Sequence, residues 1–344
     1  MEPAALYPEG LICRRGDSAI DPRLPVAGAA PAPACVQGGR VRRSRTCGHA
    51  QRLTALAIAL LVCAGASVVR SGSAHATPVT VLLAKYTELS GKLENNLFQK
   101  PLYLDSSENS GEVKGDLYAL IQEPFATVQS ALKEPAHWCD ILILHVNTKY
   151  CRASAAGART VVKVNIGRKA EQPIAQSFRV EFSYRATAVL PDHLAVVMDA
   201  AKGPFGTRNY FIVLEAIPLN SGQTFVHLAY SYAYGIAAKL AMHAYLATVG
   251  SKKVGFTVTG QRSDGQVIYI DGLRGLVERN TMRYFLAIEA YLGALPAPPS
   301  AQLEKRMRDW YAAVERYPRQ LHDIELNDYL QMKRREYARQ QTEP

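Results

Sequence analysis

The stretch from residue 146 to residue 233 constrains the fold of this chain more than any other part of it. Six short segments there, VNTKYCR, TVVKVNIG, SFRVEFSYRATAV, HLAVVMDAA, RNYFIVLEAIPL and TFVHLAYSYAY, are rich in β-branched and aromatic residues. They are set apart by turn formers such as Pro191-Asp192, Gly203-Pro204-Phe205-Gly206 and Asn220-Ser221-Gly222, the pattern of successive antiparallel strands. In the third segment Phe178, Val180, Phe182 and Tyr184 alternate with Arg179, Glu181, Ser183 and Arg185. Neighbouring side chains on a strand point to opposite faces, so one face of this sheet is covered and the other is wet.

Elements able to cover such a sheet flank it. Residues 271–295 read as the longest helix, capped by Asp271 and stopped by the LPAPP that begins at Leu295. Leu273, Val277, Tyr284, Ile288, Leu292 and Leu295 form its apolar stripe, which Asn280 and Thr281 interrupt. Upstream, residues 112–121 alternate as a strand, and two short helices follow, each opening with a Glu-Pro pair at Glu123-Pro124 and Glu134-Pro135. Residues 79–98 predict a helix and 101–111 a turn-rich connector. Residues 235–250 predict a helix of small residues, and 253–270 a hairpin turning at Ser263-Asp264-Gly265. After Ser300, a natural cap, Leu303, Met307, Trp310 and Val314 mark an amphipathic helix. Beyond Pro318 a polar helix is expected to lie exposed.

This order of elements, together with PFATVQSALKEPAHWCDI, in which Trp138 closes the second short helix, resembles the helix-grip architecture of the START-like superfamily. That superfamily includes lipid-transfer proteins, polyketide cyclases and plant allergens. The resemblance covers residues 111–295 and departs from the simplest pattern in the helix and hairpin inserted at 235–270. It implies an α+β fold, a curved antiparallel sheet wrapped on a long C-terminal helix, with extra helical segments at 77–110 and 296–344. It also implies an elongated apolar tunnel for sterols, lipids or aromatic metabolites. The superfamily has no universal catalytic motif, so no residue role carries over beyond Trp138.

Sheet width argues in the same direction. One helix is narrower than six or seven strands, so the rest of the concave face must be filled by side chains, a ligand or further helices. Phe182, Tyr184, Tyr210, Tyr230, Tyr232 and Tyr284 are candidates for the lining, being apolar bodies with a polar handle. Taken singly, each tyrosine fits an ordinary core better than a cavity lining. Asn280 and Thr281 need polar partners that a pocket ligand or water would supply. Arg279 and Arg283 stack on one helical face and could hold an anionic head group, although surface ion pairs with Glu278, Glu289 or nearby sheet acids are the commoner arrangement. Arg283 is kept as a binding candidate, and His227 is read as an ordinary polar residue. No serine-hydrolase elbow, HExxH helix, P-loop, dinucleotide glycine pattern or CxxC pair occurs. A non-catalytic binder of a hydrophobic small molecule or lipid is therefore expected, with no cofactor and no metal. A cavity enzyme of the cyclase type is one alternative. Another is an assembly protein docking through its terminal helices, where Trp310, Tyr311 and Lys333-Arg334-Arg335 could meet a partner or a membrane.

The first 76 residues do not suit a folded domain. Residues 1–50 are rich in Pro, Ala, Gly and Arg without apolar periodicity. A basic flank at Arg42, Arg43, Arg45 and Arg52 then precedes an apolar stretch over 53–69 and the small–x–small motif Ala74-His75-Ala76. These features predict a signal peptide cleaved between Ala76 and Thr77, translation starting near Val41, and export to a periplasm. Half of the formal net charge of +10 belongs to this leader, which carries nine Arg and four acids. No basic block interleaved with aromatics follows it, so nucleic acid is not an expected partner. Peripheral contact with an anionic membrane suits the mild positive balance that remains.

Export bears on the cysteines. Cys13, Cys35, Cys47 and Cys63 fall in the leader, which leaves Cys139 and Cys151. In an oxidising compartment two such thiols are expected to form a disulfide. A metal site built from His137, Cys139, His145 and Cys151 is disfavoured, because positions i and i+2 of a helix point to different sides and the spacing matches no usual zinc pattern.

Overall fold

The computed structural model describes residues 77–157, 159–220, 222–247 and 253–342. The leader, its apolar stretch and Ala76 lie outside the described residues. Thr77 begins them and caps α1 (Pro78–Glu94), its hydroxyl accepting from the Thr80 amide at 3.3 Å.

Eight strands form one curved antiparallel sheet. They are β1 (Leu102–Asn109), β2 (Glu112–Ile121), β3 (Thr148–Ala156), β4 (Arg159–Ile166), β5 (Phe178–Leu190), β6 (His193–Lys202), β7 (Arg208–Asn220) and β8 (Gln223–Ala233). Their spatial order is β1-β2-β8-β7-β6-β5-β4-β3. The six predicted segments thus form a meander from β3 to β8, and β2 pairs with β8. Two short helices, α2 (Phe125–Leu132) and α3 (Pro135–Leu142), carry the chain from β2 to the far edge of the sheet.

The predicted connector at 101–111 is instead strand β1, joined to β2 by a tight turn at Ser110 and Gly111 with φ of 32° and 91°. Leu102, Leu104 and Ser106 face inward, while the acidic and amide residues between and beyond them hide the alternation in a polar-looking string.

The inserted segment forms α4 (Ile236–Ala247) and a separate two-stranded hairpin, β9 (Val258–Gln261) with β10 (Val267–Tyr269). The long helix is α5 (Gly272–Ala294), packed on β2, β1 and β8. Asp271 stands at its N-cap without a side-chain capping bond. Helix α6 (Pro299–Val314) starts after Pro298, so Ser300 lies inside it rather than capping it. Because α6 covers the side of α5 turned away from the sheet, α5 is buried nearly all round, as a central helix is. The arrangement is a helix grip, a curved antiparallel sheet against a long helix, in an α+β fold with extra helices at both ends.

Two short segments complete the tail, α7 (Pro318–Leu321) and α8 (Leu326–Thr342). The expectation of an exposed polar helix beyond Pro318 does not hold: α8 buries Tyr329, Leu330, Met332, Lys333 and Glu336. The Glu336 carboxylate accepts from Lys149 at 2.9 Å and from Lys333 at 2.7 Å, with all three side chains at most 1% exposed. Trp310 is buried as well, and Arg334 and Arg335 pair with Glu304 and Glu171. The tail residues expected to face a partner or a membrane are thus engaged within the fold. On the outer face, α1 packs Leu82, Leu89 and Leu93 against Ile217 and Phe225, each burial contributing about 1.5–3 kcal/mol. No helix among the described residues is long and apolar enough to cross a membrane.

Candidate ligand-binding face

Strand period places Tyr230 and Tyr232 of β8 on the inner face of the sheet. Across the register Tyr230 opposes Ile212 of β7 and Gly115 of β2, and Tyr232 opposes Val113. Tyr210 of β7 stacks on Tyr232 with ring centres 5.2 Å apart, and Tyr284 of α5 meets Tyr230 edge-on at 5.3 Å. Tyr210 and Tyr230 lie 6.2 Å apart, so the four rings form one continuous aromatic wall between sheet and helix. The Tyr210 hydroxyl shares a hydrogen bond with Thr207 at 2.7 Å, and Met242 of α4 lies against the Tyr232 hydroxyl at 3.9 Å. Burial pushes the Tyr210 phenol up to about 12 and drives those of Tyr230, Tyr232 and Tyr284 further up. These phenols are therefore neutral hydrogen-bond donors rather than bases near neutral pH.

The polar interruption in α5 is divided between two roles. Thr281 turns to the sheet and donates to the Val277 carbonyl at 2.9 Å, over the gap left by Gly115. Asn280 accepts from Arg283 at 3.5 Å and bonds Tyr230. Asn280 and Tyr284 stay half-buried, whereas Thr281, Met282, Arg283 and Phe285 beside them are buried.

Phe182 and Tyr184 are also buried on the inner face, but across β6 from the aromatic wall. The Tyr184 hydroxyl donates to the Lys133 carbonyl at 2.7 Å, and the Trp138 indole donates to the Leu132 carbonyl at 2.8 Å. Both side chains tie the junction of α2 and α3 to the core. Nearby, Cys139 and Cys151 are joined in a disulfide that links α3 to β3.

Surface pairing of Arg279 and Arg283 with Glu278 or Glu289 is overturned. Both arginines are buried because α6 and the tail cover their side of α5. Glu289 pairs with Lys100 instead. Glu278 accepts from the Ser106 hydroxyl and from Phe256 and Thr257, which fastens the inserted segment to β1 and α5.

Arg283 donates to Asp323 at 2.7 Å. Lys169, from the loop between β4 and β5, reaches the same carboxylate at 2.5 Å, and Lys253 stands 4.0 Å from it. The charge of Arg279 also bears on both lysines. Burial alone would raise the Asp323 carboxyl, but Arg283 and Lys169 hold it well below the usual carboxylate range. Burial pushes Lys253 down to about 8, an effect that Asp323 opposes and the neighbouring cations reinforce. His145, packed 5.4 Å from the Tyr284 ring, is held neutral by burial and by the Arg283 and Lys333 charges. Sequence reasoning missed Lys169, Lys253 and Asp323, and weighed His145 only as a metal ligand. They lie on four separate segments, and charged loop residues read as solvated until the chain is folded.

His227 faces the opposite side of the sheet. It lies flat on Tyr118 at 4.3 Å and is bracketed by Asp116 at 2.8 Å and Glu215 at 3.6 Å. Among the described residues no group of three or more His, Cys, Asp or Glu could hold a metal ion.

No protein-family model matches this chain, and no curated protein matches it. Solved structures do. A conserved protein from Geobacillus kaustophilus is 14% identical over 52% of this chain and 95% of its own, with a TM-score of 0.30. The human StarD13 (DLC2) lipid transfer and protein localization domain is 10% identical over 48% of this chain and 88% of its own, at 0.29. The Zhui aromatase/cyclase from a Streptomyces species is 9% identical over 65% of this chain and 99% of its own, at 0.27. The fold assignment rests on the topology of this chain itself.

Proposed function

We propose that this chain binds a hydrophobic small molecule or lipid between the inner face of its sheet and α5, and does no chemistry on it. The aromatic wall of Tyr210, Tyr230, Tyr232 and Tyr284 carries the reading. Beside it Asn280 and Tyr284 keep accessible surface although fully buried residues surround them on α5. A ligand lying there would meet apolar bodies with few polar groups, as in small-molecule sites. The raised phenols and the neutral His145 favour holding a ligand over activating one. Mass spectrometry of material extracted from the purified protein tests this, together with uptake of a hydrophobic dye and its displacement by lipids. Saturable uptake is expected, and a protein that takes up neither lipid nor dye would end the proposal.

The same reading includes export to a periplasm after cleavage between Ala76 and Thr77. The disulfide supports it, since such bonds persist in oxidising compartments. N-terminal sequencing of the processed chain is the check. Peripheral membrane contact is proposed through α4, whose Ile236 and Leu240 are 91% and 72% exposed while Ala238 and Met242 turn inward beside Tyr232.

A further inference from the structure

We infer that the turn between β6 and β7, residues 203–207, joins α4 in one surface that docks on an anionic lipid bilayer. Phe205 enters the bilayer boundary with Ile236 and Leu240, and Lys202, Arg208 and Lys239 receive head-group phosphates. This deepens the reading of membrane contact through α4 and rests on it.

The first observation is a set of like charges that the fold does not need. Lys202 and Arg208 stand directly opposite each other across β6 and β7, and both are exposed. Like charges so opposed repel and weaken the pairing of the strands. The Arg208 guanidinium reaches the chain at Gly235, the residue before α4, 3.5 Å from where a Cβ would stand. Lys239, on the first turn of α4, is exposed as well, its ammonium 6.0 Å from the Tyr234 ring. None of the three makes an ion pair among the described residues. Cations gathered in this way suit the negative potential of an anionic leaflet.

The second observation is apolar. Between Lys202 and Arg208 the turn holds Phe205, with φ of 58° and 43% of its surface exposed. A bulky residue seldom adopts that backbone; here it stands at the tip of the hairpin. Helix α4 packs beside this turn and directs Ile236 and Leu240 outward. Exposed apolar side chains flanked by cations form the pattern of an interfacial membrane contact.

Both elements touch the aromatic wall. The Thr207 hydroxyl of the turn meets that of Tyr210 at 2.7 Å, and Met242 of α4 lies against Tyr232. A Cβ at Gly203 would fall 2.2 Å from the Tyr210 ring, so the turn closes over that ring only because glycine stands there. A bilayer is favoured over an acidic protein because the surface adjoins the wall proposed for a hydrophobic ligand, and such ligands partition into bilayers.

The test places Phe205→Trp in the full chain. Trp138 and Trp310 are buried, so the introduced indole reports on this turn whatever other part of the chain meets lipid. Vesicles of phosphatidylcholine, alone or with an equal part of phosphatidylglycerol, carry brominated acyl chains that quench an inserted indole. Blue-shifted, quenched emission is expected, with binding about tenfold tighter on the anionic vesicles. Lys202→Gln with Arg208→Gln should remove that preference and leave the unfolding midpoint unchanged or raised, because a repelling pair is gone. Lys202→Arg with Arg208→Lys should preserve it. Equal quenching on both vesicles would overturn the anionic partner. An unquenched indole on vesicles that still float the chain would overturn the role of the turn, and loss of that flotation in Ile236→Asp with Leu240→Asp would leave contact through α4 standing. Quenching that survives those two α4 substitutions would overturn the joint surface. No response to either vesicle would overturn both readings and leave the cations to an acidic protein.

Discussion

Gly115 of β2 lies directly beneath Thr281 of α5: a Cβ built at Gly115 would fall 2.5 Å from the Thr281 hydroxyl. The absence of a side chain there sets how closely the long helix approaches the sheet, a use of glycine within strands where another element comes near. Gly115→Ala is expected to destabilise the fold by about 1–3 kcal/mol through overpacking. Adding Thr281→Ala should recover part of that loss. Urea unfolding of the single and double variants is the check, and an unperturbed single variant would show that the approach is looser.

Asp323 answers the charges of Arg283 and Lys169. Asp323→Asn leaves those cations without their carboxylate and is expected to cost about 3–5 kcal/mol, the range for breaking a buried pair. The sign with pH follows from the depressed carboxyl. Its contribution is present above the unfolded value near 4 and is lost as pH falls through the folded one. The gap between wild type and variant should therefore be full at pH 6 and shrink in strong acid. Denaturation midpoints measured across that range would reveal it.

Burial raises Tyr118 and Tyr210 to about 12 and Tyr184, Tyr232 and Tyr284 beyond that. Near pH 11 these phenols are expected to stay protonated in the native protein and to ionise only on unfolding. An acid whose folded value is raised makes stability fall as pH climbs above its unfolded value of about 10. Absorbance of phenolate at 295 nm, with and without guanidinium, measures both effects.

A chain beginning at Thr77 should show no reactive thiol until it is reduced and two afterwards, because Cys139 and Cys151 are bonded to each other. Reduction, or replacement of both cysteines by serine, is expected to cost about 3 kcal/mol on the chain-entropy account. Ellman titration and thermal unfolding provide the two readouts.

Ile236 and Leu240 extend from α4 into solvent. Ile236→Asp with Leu240→Asp should abolish co-flotation with anionic vesicles while leaving the unfolding midpoint in place. Flotation that persists in the double variant would remove α4 as the contact.

Much of the fold was readable from local pattern. Alternation in segments such as Phe178 to Tyr184 and the turn residues between them defined the meander, because strand burial repeats every second residue. The α5 stripe and the Glu-Pro helix starts were equally local. Strand β1 is hidden because its outward positions are polar, and α8 reads as exposed because the partners that let Glu336 and Lys333 be buried, Lys149 and the His145 and Thr148 carbonyls, come from across the fold.

The binding face was partly readable. Strand parity put Tyr230 and Tyr232 on one side, and helical spacing brought Tyr284 to the apolar stripe of α5. What the sequence determined alone was whatever depends on neighbours a few positions apart: strands, the long helix and the shared direction of the tyrosines. Only the tertiary structure decided that Lys169, Lys253, Arg283 and Asp323 meet. Charge acts through space at close range in a medium of low polarity, and proximity between residues from separate segments exists only once the sheet, α5 and the tail have packed together.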